Sequence, residues 1–336
     1  MSGYETAARR KARTDETTED DEMAYAERKI LLPGGAGLVG QNLVVRLKAA
    51  GFTDLVVIDK HAANLRICEK LHPDITCIEA DLARRGDWAR AFEGADSVVM
   101  LQAQIGGLRK EAFDDNNVRA TELVLDAMRR FEVTGLVHIS SSVVNSAADD
   151  FYTRSKTTQE EIVRQSEFAA TILRPTLMFG WFDRKHLGWL SRFMGRVPVF
   201  PVPGDGRYMR QPLYVGDFCD IILSCLKSRG PEGTFDISGQ EKIDYIDLIH
   251  EVRRAARHRT PIVKIPFGLF RKLLQVWALF DRDPPFTPAQ LDALVTRDEF
   301  RVIDWPEIFG VRATPLAEAM DATFRDPTYS DVVLEF

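Results

Sequence analysis

Ile30-Leu31-Leu32-Pro33-Gly34-Gly35-Ala36-Gly37-Leu38-Val39-Gly40 is the stretch on which the fold turns. A short apolar run enters a loop with glycines at 34, 37 and 40, and a helical pattern running to about Ala50 leaves it. Glycine serves such a loop by making the tight turn, by letting backbone approach a pyrophosphate, and by letting the helix pack on the strand. The N-terminus of the helix then offers free N–H groups and partial positive charge to the phosphates. Asp59 stands 19 residues beyond Gly40, at the end of a second apolar run, Leu55 to Ile58. That is the spacing of an acid that binds the hydroxyls of the adenine ribose. Its charge repels a 2′-phosphate, which favours NAD over NADP. Lys60 beside it softens that preference.

Working outward, further apolar runs at Ile75–Glu79, Ser97–Leu101, Gly135–Ser140 and Ala170–Leu173 read as strands. Helical stretches near Ala62–Leu71, Trp88–Phe92 and Val118–Phe131 separate them. Strands that are apolar throughout are buried on both faces, and strand alternating with helix makes a parallel sheet covered on both sides. The expected fold class is therefore α/β: a Rossmann-type doubly wound parallel sheet with a smaller C-terminal α/β substrate lobe. Residues 1–27 read as a flexible charged tail, 28–175 as the cofactor domain, and 176–336 mainly as the substrate lobe, interleaved with the sheet. In that lobe Phe218–Leu226 and Tyr245–Ala256 read as helices and Gly233–Ile237 as a strand.

Composition narrows the function classes. The 336 residues carry a formal net charge of −6, which gives no broad attraction for nucleic acid. Four cysteines without CxxC spacing suggest neither a zinc site nor a disulfide framework, so no metal is expected, and a reducing cytoplasm fits. The polar first residues contain no secretory h-region. No apolar run has the length of a membrane span. The nearest approach, Pro266–Phe280, is interrupted by Arg271, Lys272 and Gln275, and reads as an amphipathic helix packed on the protein.

The chemistry is expected at Ser140-Ser141-Ser142, which ends the run Leu136–Ile139, and at Tyr152-Thr-Arg-Ser-Lys156, which begins ten residues after Ser142. A Tyr and a Lys four apart share one helix face. The ammonium would lower the phenol's pKa, and Tyr152 would exchange a proton with a substrate hydroxyl while hydride moves to a nicotinamide. Ser142 would hydrogen-bond the same oxygen.

Together these residues resemble the extended short-chain dehydrogenase/reductase superfamily, which contains the nucleotide-sugar epimerases, over about Lys29 to Asp326. The family's glycine loop is matched by Gly34, Gly37 and Gly40 with Leu38 and Val39 as the apolar pair, although Pro33 replaces the usual Thr. The resemblance implies NAD held further by Asp59 and Lys60, by Asp81-Leu82 on the adenine side, and by Leu101, Gln102 and Ala103 beside the nicotinamide ribose. It adds Asn117 in the helix start Asp115–Thr121, Ser140, Tyr152, Lys156, and Pro175 of Arg174-Pro175. The family's catalytic Ser, Tyr and Lys fall on Ser142, Tyr152 and Lys156. Gly204–Asp217 resembles the segment that places an arginine, here Arg210, on a substrate diphosphate. Arg207, Thr176, Trp181 and His186 complete the candidate substrate contacts.

Departures from the family pattern shape the expected function. The Ser142–Tyr152 interval is short, Leu177 replaces an Asn near the substrate diphosphate, and Val143-Val144 stand where sugar dehydratases carry Asp-Glu. Without that acid and base, water elimination has no agent. The resemblance thus implies an NAD-dependent epimerase or dehydrogenase acting on a nucleotide-activated sugar, dimeric through helices near Val118–Phe131 and Tyr152–Arg164. Pro284–Leu291 and Phe309–Leu316 also look like hydroxysteroid dehydrogenase-type and complex I accessory members. They keep open oxidation of an apolar or lipid-linked alcohol, and a catalytically silent NAD-binding scaffold.

Overall fold

The computed structural model describes residues 25–146, 149–280 and 300–335. Seven strands form one sheet: β1 (Ile30–Pro33), β2 (Leu55–Asp59), β3 (Thr76–Glu79), β4 (Ser97–Met100), β5 (Gly135–Ile139), β6 (Ala170–Pro175) and β7 (Gly233–Ile237). Their order is β7-β6-β5-β4-β1-β2-β3, and every neighbouring pair is parallel. The chain builds β1 to β3 toward one edge, then returns to lay β4 on the other side of β1. That reversal opens a crevice at the C-terminal ends of β1 and β4, where sheets of this kind bind ligands.

Successive side chains of a strand point to opposite faces, so a strand apolar throughout feeds two cores. On one face, Ile30, Leu32 and Val57 pack with Leu43, Val44 and Leu47 of α1 (Leu38–Ala49). The same cluster takes Phe218, Ile221 and Ile222 from the later helix Val215–Ser228. On the other face, Leu31, Val98 and Met100 pack with Leu123, Val124 and Met128 of α2 (Ala120–Arg130) and Val163 of α3 (Phe151–Gln165). β7 and the helix before it lie beyond residue 175, so the second half of the chain completes the sheet as well as building the lobe. The lobe's own core joins helices Leu187–Met194, Tyr245–Ala255 and Leu316–Arg325 through Leu187, Leu248, Val252 and Met320.

Two expectations need correction here. Tyr25, inside the segment read as a tail, stacks on Phe52 at 5.1 Å between ring centroids and so belongs to the folded body. The helix start at Asp115–Thr121 is not α-helical throughout: Asp114–Arg119 forms a π-helical turn ahead of α2. Pro266–Phe280 holds the expected amphipathic helix, α4 (Phe267–Phe280), which buries Leu274 and leaves Leu269 and Leu273 52% and 51% exposed. The Pro284–Leu291 segment and most of the charged tail lie outside the described residues.

The contrast between core and surface sets a stability prediction. Phe218 is fully buried between the sheet and α1, so Phe218→Ala should cost about 3–5 kcal/mol in urea unfolding. Leu269→Ser should stay within about 0.5 kcal/mol of the parent.

Candidate active site

The loop after β1 is held by what its glycines lack. Gly34 has a φ of +77°, and a methyl group there would drive into the backbone of Leu101 and Gln102 at the end of β4. A methyl on Gly40 would strike Gly35, so Gly40 lets α1 seat against the loop. Gly35, which the glycine spacing did not single out, sits against the Leu32 carbonyl. Gly37 differs: the nearest atom to a methyl there is 3.9 Å away, leaving the N-terminal side of α1 open. Leu38 and Val39 open that helix and pack on the core.

Asp59 closes the loop from β2. One carboxylate oxygen accepts the Ala36 N–H at 3.1 Å and the other the His61 N–H at 3.0 Å. Lys60 turns aside to Asn116, 2.6 Å away. Further along the edge, Asp81 accepts the Ala83 N–H while Leu82 is buried. After β4, Leu101 packs on the core, Gln102 is buried and Ala103 is exposed. Asn117 lies fully buried in the π turn: it accepts the Gln104 N–H at 2.6 Å and donates to Ser155 at 2.8 Å. The π turn thereby ties the strand-end loop to α3.

The Ser-Tyr-Lys group assembles at the end of β5, with one correction. Ser141, extended at φ −158°, follows the strand and accepts the Val143 N–H at 3.4 Å, and Ser142 opens the short 3-10 turn Ser142–Asn145. The correction concerns the phenol. Burial pushes the Tyr152 pKa up, Asp150 adds to the rise, and the neighbouring Ser141 hydroxyl opposes them. The expected lowering by Lys156 is not what dominates, because the ammonium is turned inward: Lys156 is 1% exposed and donates to the Ile139 carbonyl at 2.9 Å and to Gln159 at 2.5 Å. Burial brings the Lys156 pKa down to about 7.

Sequence reasoning missed Gln159 and Glu160, which stand behind this group. Gln159 lies three positions after Lys156, on the same helix face, and passes the hydrogen-bond chain to Thr121 at 2.9 Å. Ser140 donates to the buried Glu160 at 2.6 Å, and Arg174 grips the same carboxylate at 2.5 Å. Burial alone would raise the Glu160 carboxyl, but the Arg174 and Ser140 bonds outweigh it and hold it low. The i, i+3 and i+4 spacing from Lys156 was the available signal. What it lacked was any sign that these positions face inward.

The substrate-side candidates divide. Thr176 is buried just beyond Pro175, at the crevice. Trp181 is not directed to a ligand: its indole N–H donates to the Ala322 carbonyl at 2.8 Å and its ring lies 4.8 Å from Tyr329. The returning C-terminal segment explains this, since it pairs Val333 with Phe182 and ends with the Glu335 N–H on Asn64 at 2.8 Å. The His186 side chain is exposed, and its backbone N–H is bound by Asp183. Arg207, a candidate substrate contact, is engaged by Asp244 and Asp247 at 2.8 and 3.1 Å. Arg210 pairs through its backbone with Ile243 and donates to the Met209 carbonyl.

Comparison with known proteins agrees with this architecture. The chain is 24% identical over 266 residues to the Dictyostelium discoideum protein named NADH dehydrogenase [ubiquinone] 1 alpha subcomplex subunit 9, mitochondrial, covering 77% of this chain and 73% of that one. It is also 24% identical over 286 residues to the Schizosaccharomyces pombe sterol-4-alpha-carboxylate 3-dehydrogenase, decarboxylating, covering 75% and 84%. In fold it is similar to UDP-glucuronic acid 4-epimerase from Bacillus cereus in complex with NAD, with a TM-score of 0.64 at 18% identity, over 88% of this chain and 96% of that one. The model of the NAD dependent epimerase/dehydratase family matches residues 30–238, and with the sheet order, glycine loop and Ser-Tyr-Lys group in place, the chain belongs to that family.

Proposed function

We propose that this protein is an NAD-dependent epimerase or dehydrogenase that acts on a secondary alcohol of a nucleotide-activated sugar. One observation carries the reading: Tyr152 and the buried Lys156 stand one helical turn apart on α3, with the Lys156 amine on the last carbonyl of β5, in the family whose sheet carries a glycine loop.

The crevice suits a dinucleotide. Gln102 Oε1 and Thr176 Oγ1 are buried without a hydrogen-bond partner, a cost that a bound ligand would relieve. Gly37 leaves the N–H groups of α1 approachable. The Asp59 oxygens each accept one backbone N–H and keep further lone pairs for ribose hydroxyls. NAD, when bound, supplies the hydride acceptor. Tyr152 takes the proton from the substrate hydroxyl, and Ser142, with Ser141 beside it, orients that oxygen. Lys156 uses two N–H donors on Ile139 and Gln159 and has a third for a ribose hydroxyl. Arg210, in the strand pair of Met209–Arg210 with Ile243–Asp244, anchors the diphosphate.

A second reading draws on the Dictyostelium relative: an NAD-binding subunit without turnover. Tyr152 decides between the two. Native mass spectrometry with NAD and a panel of UDP-, GDP-, CDP- and dTDP-sugars should find a ternary complex, and Arg210→Ala should weaken the sugar nucleotide about tenfold or more. Tyr152→Phe should retain NAD and lose about 10²–10⁴-fold in turnover. NAD binding with no sugar-nucleotide complex and no turnover would favour the subunit reading.

The buried lysine makes a pH prediction with a definite sign. In the unfolded chain Lys156 keeps its proton to about pH 10; in the folded protein it loses it near 7. Between these values the unfolded state binds more protons, so this group makes stability rise with pH. The stability difference between the parent and Lys156→Met, followed by urea unfolding, should therefore shift in the parent's favour from pH 7 toward pH 10. A flat difference would contradict the burial of the charge.

A further inference from the structure

In the second half of this acidic protein, residues 184–204 and 252–280 contain no Asp or Glu. The fold joins them. Phe200–Pro203 pairs in parallel with Ile262–Ile265, the Phe200 N–H donates to the Pro261 carbonyl at 2.8 Å, and Thr260 Oγ1 donates to the Met194 carbonyl at 2.8 Å. α4 begins directly after this pair, its first turn closed by the Phe270 N–H on the Pro266 carbonyl. Arg196, Arg257, Arg259 and Lys264 are exposed here, and no ion pair to a carboxylate is formed by any of them among the described residues. Arg271 and Lys272 extend the charge onto α4.

The same region concentrates exposed apolar side chains. Val199 and Val263 are 41% and 44% exposed, beside the half-exposed Leu269 and Leu273 of α4. Single exposed apolar residues are ordinary, but four in one acid-free region mark an interaction surface. Cations alone would suit an acidic protein or a nucleic acid, and either partner would leave the leucines in water. A helix with Leu269 and Leu273 on one side and Lys272 at their flank, following the exposed cations of 257–264, matches a lipid interface, where apolar side chains enter the headgroup boundary and cations meet anionic lipid. Among the described residues no helix is long and apolar enough to cross a membrane, so the contact is with a surface.

We propose that the acid-free face built from 196–203, 257–265 and the first half of α4 docks the protein on an anionic phospholipid surface, with Leu269 and Leu273 entering the interface. This face uses none of the Ser-Tyr-Lys or glycine-loop residues, so it stands or falls independently of the proposed reaction.

Flotation of the full chain with vesicles tests it, comparing phosphatidylcholine alone with phosphatidylcholine containing phosphatidylserine. Binding is expected only to the anionic vesicles and should weaken as salt rises. Arg257→Gln with Arg259→Gln should weaken it about fivefold per removed cation, and Leu269→Ser with Leu273→Ser should weaken it at least as much. Unchanged far-ultraviolet circular dichroism and unchanged NAD binding would show that the variants remain folded. No flotation with anionic vesicles at low salt overturns the proposal. So does flotation that the leucine pair does not affect, which would assign the face to a polyanionic partner, and so does equal binding to neutral vesicles.

Discussion

At Gly34, Gly35 and Gly40 the loop after β1 has no room for one methyl group, and the rest of the site follows from that crowding. Because Gly34 lies against the Leu101–Gln102 backbone, the ends of β1 and β4 are brought together at the point where the strand order reverses. Because Gly40 lies against Gly35, α1 starts with its N-terminus directed at the crevice rather than lifted from it. Asp59 then finds the loop backbone within hydrogen-bond reach. A larger residue at Gly34 or Gly40 would move two elements, not one.

Behind the crevice, the reactive group rests on a buried polar network rather than on the apolar core. Lys156 carries its amine into a place without water, and the Ile139 carbonyl and Gln159 accept it there. Gln159 leans on Thr121, whose hydroxyl donates to the Asn117 carbonyl, and Asn117 binds Ser155 back on α3. The loop is closed: each partner orients the next, and the desolvated lysine is held near neutrality in its pKa. On the far side, Glu160 takes Ser140 and Arg174, locking the end of β5 to β6. Networks of this kind are favourable only when every member is satisfied. That condition explains why so many polar side chains are buried within a single turn of α3.

The substrate lobe shows the opposite economy. Arg207 and Trp181 are spent on the lobe's own architecture, the first on Asp244 and Asp247, the second on the Ala322 carbonyl and the returning C-terminal segment. The lobe leaves cations and leucines exposed on its acid-free face instead.

The parallel sheet, the glycine loop, Asp59 and the Tyr152–Lys156 spacing were legible in the sequence alone, because each depends on local rules: apolar runs, glycine at crowded turns, and helical periodicity. Where the Lys156 amine points and which carboxylates meet Arg207 were decided only in three dimensions. The lysine's direction depends on a carbonyl 17 residues away in sequence, and the arginine's engagement on carboxylates 37 and 40 residues away. No local pattern encodes partners at such separations; packing chooses them.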